Sequence, residues 1–187
     1  METELKFEIK NNQIQGINDK LQKIGFKNNG RVYELNVMFD NPKQIMQISN
    51  GRIRLRQSGD KVILTYKKPV TREGIKQEIE YEVEVADFHN MEKILSMMEF
   101  NKTTSYERYR TYYKKDSTQV MIDEFPYTNF IEIEGERNTI IKISQKLGFE
   151  IKDNLTESCD TIYTNRCIAQ NIKPSKHILF NSKFLPK

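Results

Sequence analysis

Charged and apolar residues alternate along several segments of this 187-residue chain, and that alternation constrains the fold most strongly. In the clearest case, Glu78, Glu80, Glu82 and Glu84 are separated by single aliphatic or aromatic residues. Successive side chains of a β-strand point to opposite faces, so such a segment has one charged face and one apolar face. The same pattern recurs at 2–9, 52–56, 108–110, 120–123 and 131–134. The sequence therefore predicts a sheet with one continuous apolar face and a second face unusually rich in charge.

The turn and breaker residues divide the chain into eight strands and three or four helices. Ser58-Gly59-Asp60 predicts a hairpin between two strands, and Pro69 predicts the end of the second one. The predicted strands are 2–9, 32–40, 51–57, 61–69, 74–87, 105–115, 118–125 and 129–136, and the predicted helices are 17–25, 88–100, 138–148 and about 156–170. We expect one α+β domain with a largely antiparallel sheet and a C-terminal helical appendage.

The overall composition excludes several classes of protein. Lys and Arg number 30 against 26 Asp and Glu, and no stretch concentrates the basic excess, which argues against nucleic acid as the partner. No apolar run reaches the length of a membrane span, and the acidic start is unlike a signal peptide. Cys159 and Cys167 are eight positions apart within one predicted helix, too far to form a disulfide there. We expect a cytoplasmic protein with reduced cysteines and no membrane partner.

The charged face has three explanations. It could be wetted by solvent, although charged residues have poor strand propensity. Like charges two positions apart on a strand are only about 6.7 Å from each other and repel unless opposite charges face them. Acidic and basic strands could neutralise one another across a closed barrel, or they could hold a ligand that needs both signs. A polyphosphate with a divalent cation is such a ligand, because guanidinium groups match phosphate oxygens and carboxylates bind Mg²⁺ or Mn²⁺.

Seven short motifs follow one another along the chain, and each overlaps one of the predicted strands. They are ETELK (2–6, of the form ExExK), IRLR (53–56), LTYKKP (64–69), EIEYEVEVAD (78–87), RYR (108–110), MIDEFP (121–126) and FIEIEG (130–135). Together they resemble the CYTH superfamily, or triphosphate tunnel metalloenzymes, which includes class IV adenylyl cyclases and thiamine and inorganic triphosphatases. The resemblance implies an eight-stranded antiparallel closed β-barrel, a tunnel with a charged interior and helices packed outside. It implies a tunnel domain at 1–150 and a C-terminal helical extension of that domain at 151–187.

The resemblance also implies roles for individual residues. The metal ligands would be Glu2, Glu4, Asp123, Glu132 and Glu134, and the triphosphate would be held by Lys6, Arg54, Arg56, Lys67, Arg108 and Arg110. Glu4, Lys6 and Lys67 would be the catalytic residues, and Glu80 and Glu82 are further candidate tunnel acids. Arg52 has the same alternation but lies outside the motif and receives no role. The implied cofactor is Mg²⁺ or Mn²⁺.

The expected function is that of a metal-dependent enzyme acting on a small-molecule triphosphate. Hydrolysis of an inorganic or organic triphosphate is favoured, because no feature of the sequence is dedicated to adenine. The alternatives are a class IV adenylyl cyclase, which converts ATP to cyclic AMP and pyrophosphate, and a module that binds triphosphate or polyphosphate without catalysis. Either a monomer or a homodimer is compatible with the sequence.

Overall fold

The computed structural model describes residues 2–71, 74–182 and 185–186. The strands are β1 (Glu2–Ile9), β2 (Lys27–Asp40), β3 (Arg52–Ser58), β4 (Lys61–Thr71), β5 (Lys76–Val85), β6 (Asn101–Lys115), β7 (Thr118–Glu124), β8 (Asn129–Glu134) and β9 (His177–Ile178). The helices are α1 (Ile14–Lys23), α2 (Ile45–Ile48), α3 (Phe88–Met97), α4 (Arg137–Leu147) and α5 (Cys159–Ala169), with 3₁₀ turns at Asn11–Gln13 and Ile151–Asp153. Within the described ranges, no helix is both long enough and apolar enough to cross a membrane.

Eight antiparallel strands close into a barrel. Their order is β2-β3-β4-β5-β1-β8-β7-β6, and β6 pairs with β2 to complete the circle. The short β9 adds a parallel pairing to β6 at Ser105 and Tyr106. Closure leaves the eight main strands with two neighbours each, which removes the exposed edges of an open sheet. The predicted α+β fold, a closed eight-stranded antiparallel barrel with helices outside, is confirmed.

Apolar residues on the outside of the barrel form its principal core with the surrounding helices. Leu5, Phe7, Ile131 and Ile133 are buried beneath α1 and α4, and a second cluster around Leu55 packs against α3. The hydrophobic effect therefore stabilises the barrel from its outer surface. The inner face is left for the charged residues that the alternation predicts.

One end of the barrel is covered by α5. Tyr163 and Cys167 of this helix are buried against Phe125 and Phe130, which share the inward strand phase of the charged residues. Backbone hydrogen bonding between Leu155 N and Lys6 O joins the segment before α5 to β1. The first turn of α5 is thus fixed at the mouth of the barrel.

Several boundaries differ from the sequence prediction, and those of β2, β6 and β4 have a physical reason. β2 begins at Lys27 and β6 at Asn101 because these two strands close the barrel along their full lengths, although 27–31 has no alternation. Pro69 does not end β4, which continues to Thr71 through a register irregularity that accommodates the missing proline N–H. The short α2 was not predicted; the Asp40 carboxylate accepts hydrogen bonds from two of its backbone N–H groups.

Candidate active site

The interior of the barrel contains a cavity of about 70 Å³ lined mainly by charged side chains. Eight cations and five carboxylates line it, an excess of three positive charges. The cations are Lys6, Arg52, Arg54, Arg56, Lys67, Lys76, Arg108 and Arg110, and the acids are Glu4, Glu78, Glu132, Glu134 and Asp160. The other lining residues are Met38, Tyr106, Ser158 and Cys159. The charged strand faces therefore point inward and surround a common space inside the barrel.

The lysines and acids of β1 and β5 form the first half of a chain of ion pairs. Lys76 Nζ lies 2.9 Å from Glu4 Oε1 and 2.8 Å from Glu78 Oε2. Glu78 in turn accepts from Arg52 at 2.6 Å. Lys6 Nζ lies 3.7 Å from Glu4 Oε1 and extends the chain toward β8. Each lysine thus contacts two carboxylates.

The arginines of β6 form the second half. Lys6 Nζ lies 3.2 Å from Glu132, which also pairs with Arg110. Asp123 Oδ1 accepts from Arg110 Nε at 2.5 Å, and Asp123 Oδ2 accepts from Arg108 Nη1 at 2.8 Å. From Arg52 at one end, through the lumen, to a final pair between Arg108 and Glu34, acidic and basic groups alternate without interruption. The barrel neutralises most of its own charge.

Cross-strand register explains these partners. Lys6 lies opposite Glu132, and Arg110 lies opposite Asp123. Likewise, Glu4 is opposite Lys76, and the pairing of β2 with β6 sets Glu34 against Arg108. Directly opposed residues of antiparallel strands share a face with short Cβ separations, so opposite charges at these positions attract.

Burial and pairing perturb the ionisation of the lining groups. Burial would raise the pKa of Glu132, but Lys6 and the neighbouring arginines outweigh this effect and hold the pKa well below its usual value. Burial would lower the pKa of Lys6, but Cys159 and the nearby carboxylates raise it well above the usual value. At neutral pH Glu132 is therefore a carboxylate and Lys6 is an ammonium.

The sequence-predicted residues fall into three groups in the structure. Nine of them line the cavity together: Glu4, Lys6, Arg54, Arg56, Lys67, Arg108, Arg110, Glu132 and Glu134. Glu80 and Glu82 lie beside it, where Glu80 is 2.9 Å from Lys67 and Glu82 accepts from Thr65. Asp123 is fully buried behind the β6 arginines. The side chain of Glu2 lies outside the described part of the structure.

Several lining residues were not predicted. Arg52 and Glu78 were placed on the charged faces of their strands but received no role, and Lys76 continues the same alternation of β5 one step before Glu78. Ser158, Cys159 and Asp160 come from the start of α5, and no strand pattern indicates their position. Glu34 is fully buried and ion-paired with Arg108, but the less regular alternation of β2 conceals it.

The acids of the cavity have the donor chemistry that suits a divalent cation. Glu4, Glu132 and Glu134 present carboxylate oxygens to one cavity, and hard cations such as Mg²⁺ prefer oxygen ligands. Among the described residues, no three His, Cys, Asp or Glu side chains are already clustered around a metal position. Lys6 lies within 4 Å of both Glu4 and Glu132, so metal binding would exchange its ammonium contacts for contacts to the cation. The carboxylates of Glu4, Glu132 and Glu134 therefore fit a divalent cation that displaces the Lys6 ammonium.

Comparison with known proteins places this architecture in a family. The sequence profile of the CYTH domain matches residues 1–148, so the chain belongs to the CYTH domain family. A Methanocaldococcus jannaschii relative named "putative adenylate cyclase" is 24% identical over 132 residues, 70% of this chain and 75% of the relative.

Two solved structures share the fold. A Vibrio parahaemolyticus protein described as a "putative adenylate cyclase" has a TM-score of 0.76 at 14% identity, covering 86% of this chain and 96% of that one. A Hippeastrum protein described as a "putative adenylyl cyclase" with "a dominant triphosphatase activity" has a TM-score of 0.64 at 16% identity, covering 94% of this chain and 99% of that one.

Proposed function

We propose that this protein is a divalent-metal-dependent enzyme that hydrolyses an inorganic or organic triphosphate inside the barrel. The observation that carries the proposal is the cavity inside the barrel, which eight cations and five carboxylates line. The guanidinium and ammonium groups suit a polyanion, and the carboxylates suit the cation that accompanies it. Several of these charges, including Lys6, Arg56 and Glu132, are buried, and electrostatic interactions with buried charges are stronger than in bulk water.

The arginines are the proposed phosphate ligands. Arg54, Arg56, Arg108 and Arg110 present planar donors that match phosphate oxygens, and Lys67 adds a point charge. Asp123 orients the two β6 arginines through three hydrogen bonds of 2.5 to 2.8 Å. This orientation exists before substrate arrives, which reduces the reorganisation that binding requires.

Glu4, Glu132 and Glu134 are the proposed metal ligands, with Glu2 as a further candidate. A bound Mg²⁺ or Mn²⁺ would supply Lewis acidity toward a phosphate oxygen and toward the attacking water. Lys6 remains an ammonium because its pKa is raised, so its proposed role is to stabilise negative charge on the phosphate chain and not to accept a proton. In the net reaction, water oxygen bonds to the terminal phosphorus, the bond to the bridging oxygen breaks, and orthophosphate is released.

Hydrolysis is favoured over cyclisation by the lining of the cavity. Met38 and Tyr106 are its only large uncharged side chains among the described residues, which gives a purine base little surface to stack on. Tyr106 already packs against Phe125, with ring centroids 5.5 Å apart. The triphosphatase activity described for the Hippeastrum protein agrees with this choice.

Cyclisation of ATP to cyclic AMP and pyrophosphate is the second candidate. The name of the Methanocaldococcus relative favours it. The same arginines and carboxylates would serve, but the ribose 3′-hydroxyl would attack the α-phosphorus. The two reactions differ in how the phosphate chain is seated and in their products.

Product analysis separates the candidates. Purified protein is incubated with inorganic triphosphate or ATP and with Mg²⁺ or Mn²⁺, and orthophosphate and cyclic AMP are measured. We expect orthophosphate from inorganic triphosphate, abolished in Glu4→Gln and retained in the exposed control Glu150→Gln. Cyclic AMP as the main product would favour the second candidate. Tight binding without turnover of either substrate would indicate a non-catalytic binding module.

We also propose that residues 151–187 extend the tunnel domain at 1–150, since α5 packs on Phe130 and its first turn lines the cavity.

A reducing cytoplasmic location agrees with two free cysteines, of which Cys167 is fully buried. Mass spectrometry of the native protein after thiol labelling would test this: a disulfide between Cys159 and Cys167 would contradict it.

A further inference from the structure

The outer face of β5 is apolar, and most of it is exposed. Ile79, Tyr81 and Val83 alternate with the glutamates that face the lumen, and they are 39%, 70% and 54% exposed. The outer faces of β1 and β8, in contrast, are buried beneath α1 and α4. α3 covers only the end of β5, where Val85 belongs to the cluster around Leu55. The described residues therefore leave an apolar strip on the outside of the barrel.

The neighbouring strand β4 extends this strip into a two-stranded patch. Tyr81 lies directly opposite Tyr66, and Val83 lies opposite Leu64. Ile79 lies opposite Lys68, whose aliphatic stem can cover apolar surface while its ammonium stays in water. These six residues, called the β4–β5 face below, form three cross-strand pairs: Leu64 with Val83, Tyr66 with Tyr81, and Lys68 with Ile79.

The β4–β5 face is complementary to a second copy of itself. A two-fold axis that runs across the strands through the two tyrosines would place Tyr81 against Tyr81 of the second copy. The same rotation would place Ile79 against Val83, so aliphatic side chains meet on both sides of the axis. It would also place Lys68 against Leu64, so no charge on the face meets a like charge. Two sheets that pack face to face in this way keep their strands roughly aligned.

The area of the face indicates how strong such an association can be. The exposed surface of Ile79, Tyr81 and Val83 is on the order of 350 Å², comparable with functional apolar patches of about 300–600 Å². Homodimer interfaces are about 65% apolar, so two such faces imply a total buried area of about 1,100 Å². This total lies just below the range of about 1,200–2,000 Å² for stable interfaces, so the dimer should dissociate on dilution.

We propose that the β4–β5 face is the interface of a homodimer whose two-fold axis passes through Tyr81. A second copy is the occupant because the face matches itself in shape and in charge and has the area of a weak interface. The interface lies on the outer side of the strand that carries Glu78 into the cavity. The inference is independent of the reaction that the cavity supports.

The test measures mass against concentration by sedimentation equilibrium. We expect the average mass of the wild-type protein to rise from 22.2 kDa toward twice that value, over a range from about 1 to 500 µM. Tyr81→Glu and Tyr81→Arg each place like charges at the axis, so each should raise the dimer Kd at least tenfold. An equimolar mixture of the two variants should associate again, because the introduced carboxylate then faces the introduced guanidinium. Met97→Glu makes a similar change at a residue that is 85% exposed on α3, and it should associate like the wild type.

Circular dichroism checks that the variants are folded, which the exposure of Tyr81 leads us to expect. A wild-type protein that stays monomeric up to about 500 µM would overturn the proposal. So would association of Tyr81→Glu with a Kd within twofold of wild type, because the interface would then lie elsewhere. Failure of the mixed variants to associate would contradict the two-fold axis through Tyr81. A monomer that sediments with vesicles of phosphatidylcholine and phosphatidylglycerol would show that the face meets a membrane, and would also refute the dimer.

Discussion

Asp123 provides a sharp test of how the lumen is held together. Its carboxylate is fully buried and accepts from Arg108 Nη1 at 2.8 Å, from Arg110 Nε at 2.5 Å and from Arg110 Nη2 at 2.6 Å. Asp123→Asn keeps the shape of the side chain but removes the charge. It also replaces one acceptor oxygen with an NH₂ group that must face a guanidinium donor.

The expected loss of stability follows from these contacts. Removing one partner of a buried ion pair costs about 3–5 kcal/mol, because the other charge is left uncompensated. Here Arg108 retains Glu34 at 2.7 Å, and Arg110 retains Glu132, so the lower end of that range applies. We expect Asp123→Asn to lower the free energy of unfolding by about 3 kcal/mol. For a protein of this size, such a loss lowers the Tm by roughly 6–12 °C.

Urea denaturation followed by circular dichroism measures this change in the metal-free protein. The exposed control Asp153→Asn should differ from wild type by less than about 0.5 kcal/mol. Asp123→Asn should retain the increase in Tm that Mg²⁺ or Mn²⁺ produces, whereas Glu132→Gln should lose it. Unchanged or increased stability of Asp123→Asn, together with loss of the metal effect, would refute the argument and support the metal-ligand role that the family resemblance implies.

The remaining predictions concern turnover, affinity and pH. Glu4→Gln should abolish metal-dependent turnover. The variant should still fold, because Lys6 keeps its contact with Glu132 and Lys76 keeps its contact with Glu78. Near-normal activity of this variant with either metal would contradict the site assignment. Arg56→Ala should raise KM for inorganic triphosphate at least tenfold while kcat falls less, measured by orthophosphate release, and an unchanged KM would exclude it as a phosphate ligand. Burial would raise the pKa of Glu34, but the surrounding arginines lower it. Because the Glu34 pKa is lower in the folded state, the unfolded state binds more protons than the folded state in acid. The urea concentration at the unfolding midpoint should therefore fall as the pH drops below about 5. A midpoint that stays constant between about pH 5 and 3 would contradict the ion-pair network.

Strand alternation identified the residues that share the charged face, and the family resemblance implied that this face points into the barrel. Lys6 and Arg56 were assigned to an inward face from sequence alone, and both line the cavity. Alternation predicts the face of the strand on which a side chain lies, but it does not predict how deeply neighbouring side chains bury it. Asp123 has the inward phase, yet it lies behind Arg108 and Arg110, because the pairing of β6 with β7 places it directly across from Arg110.

Long-range contacts account for what the sequence did not reveal. Closure of the barrel through β2 and β6 brings Glu34 to Arg108, 74 positions away, and no local pattern encodes that pairing. The start of α5 reaches the cavity only because apolar residues of α5 pack on the barrel mouth.

A crystal structure of the protein with inorganic triphosphate and Mn²⁺, using the anomalous signal of manganese to locate the metal, tests the central claim most directly. We predict the phosphate chain inside the barrel against Arg56 and Arg110, with manganese bound to oxygens of Glu4 and Glu132. A phosphate chain and manganese bound on the outer surface, with the ion pairs of the lumen unchanged, would contradict it.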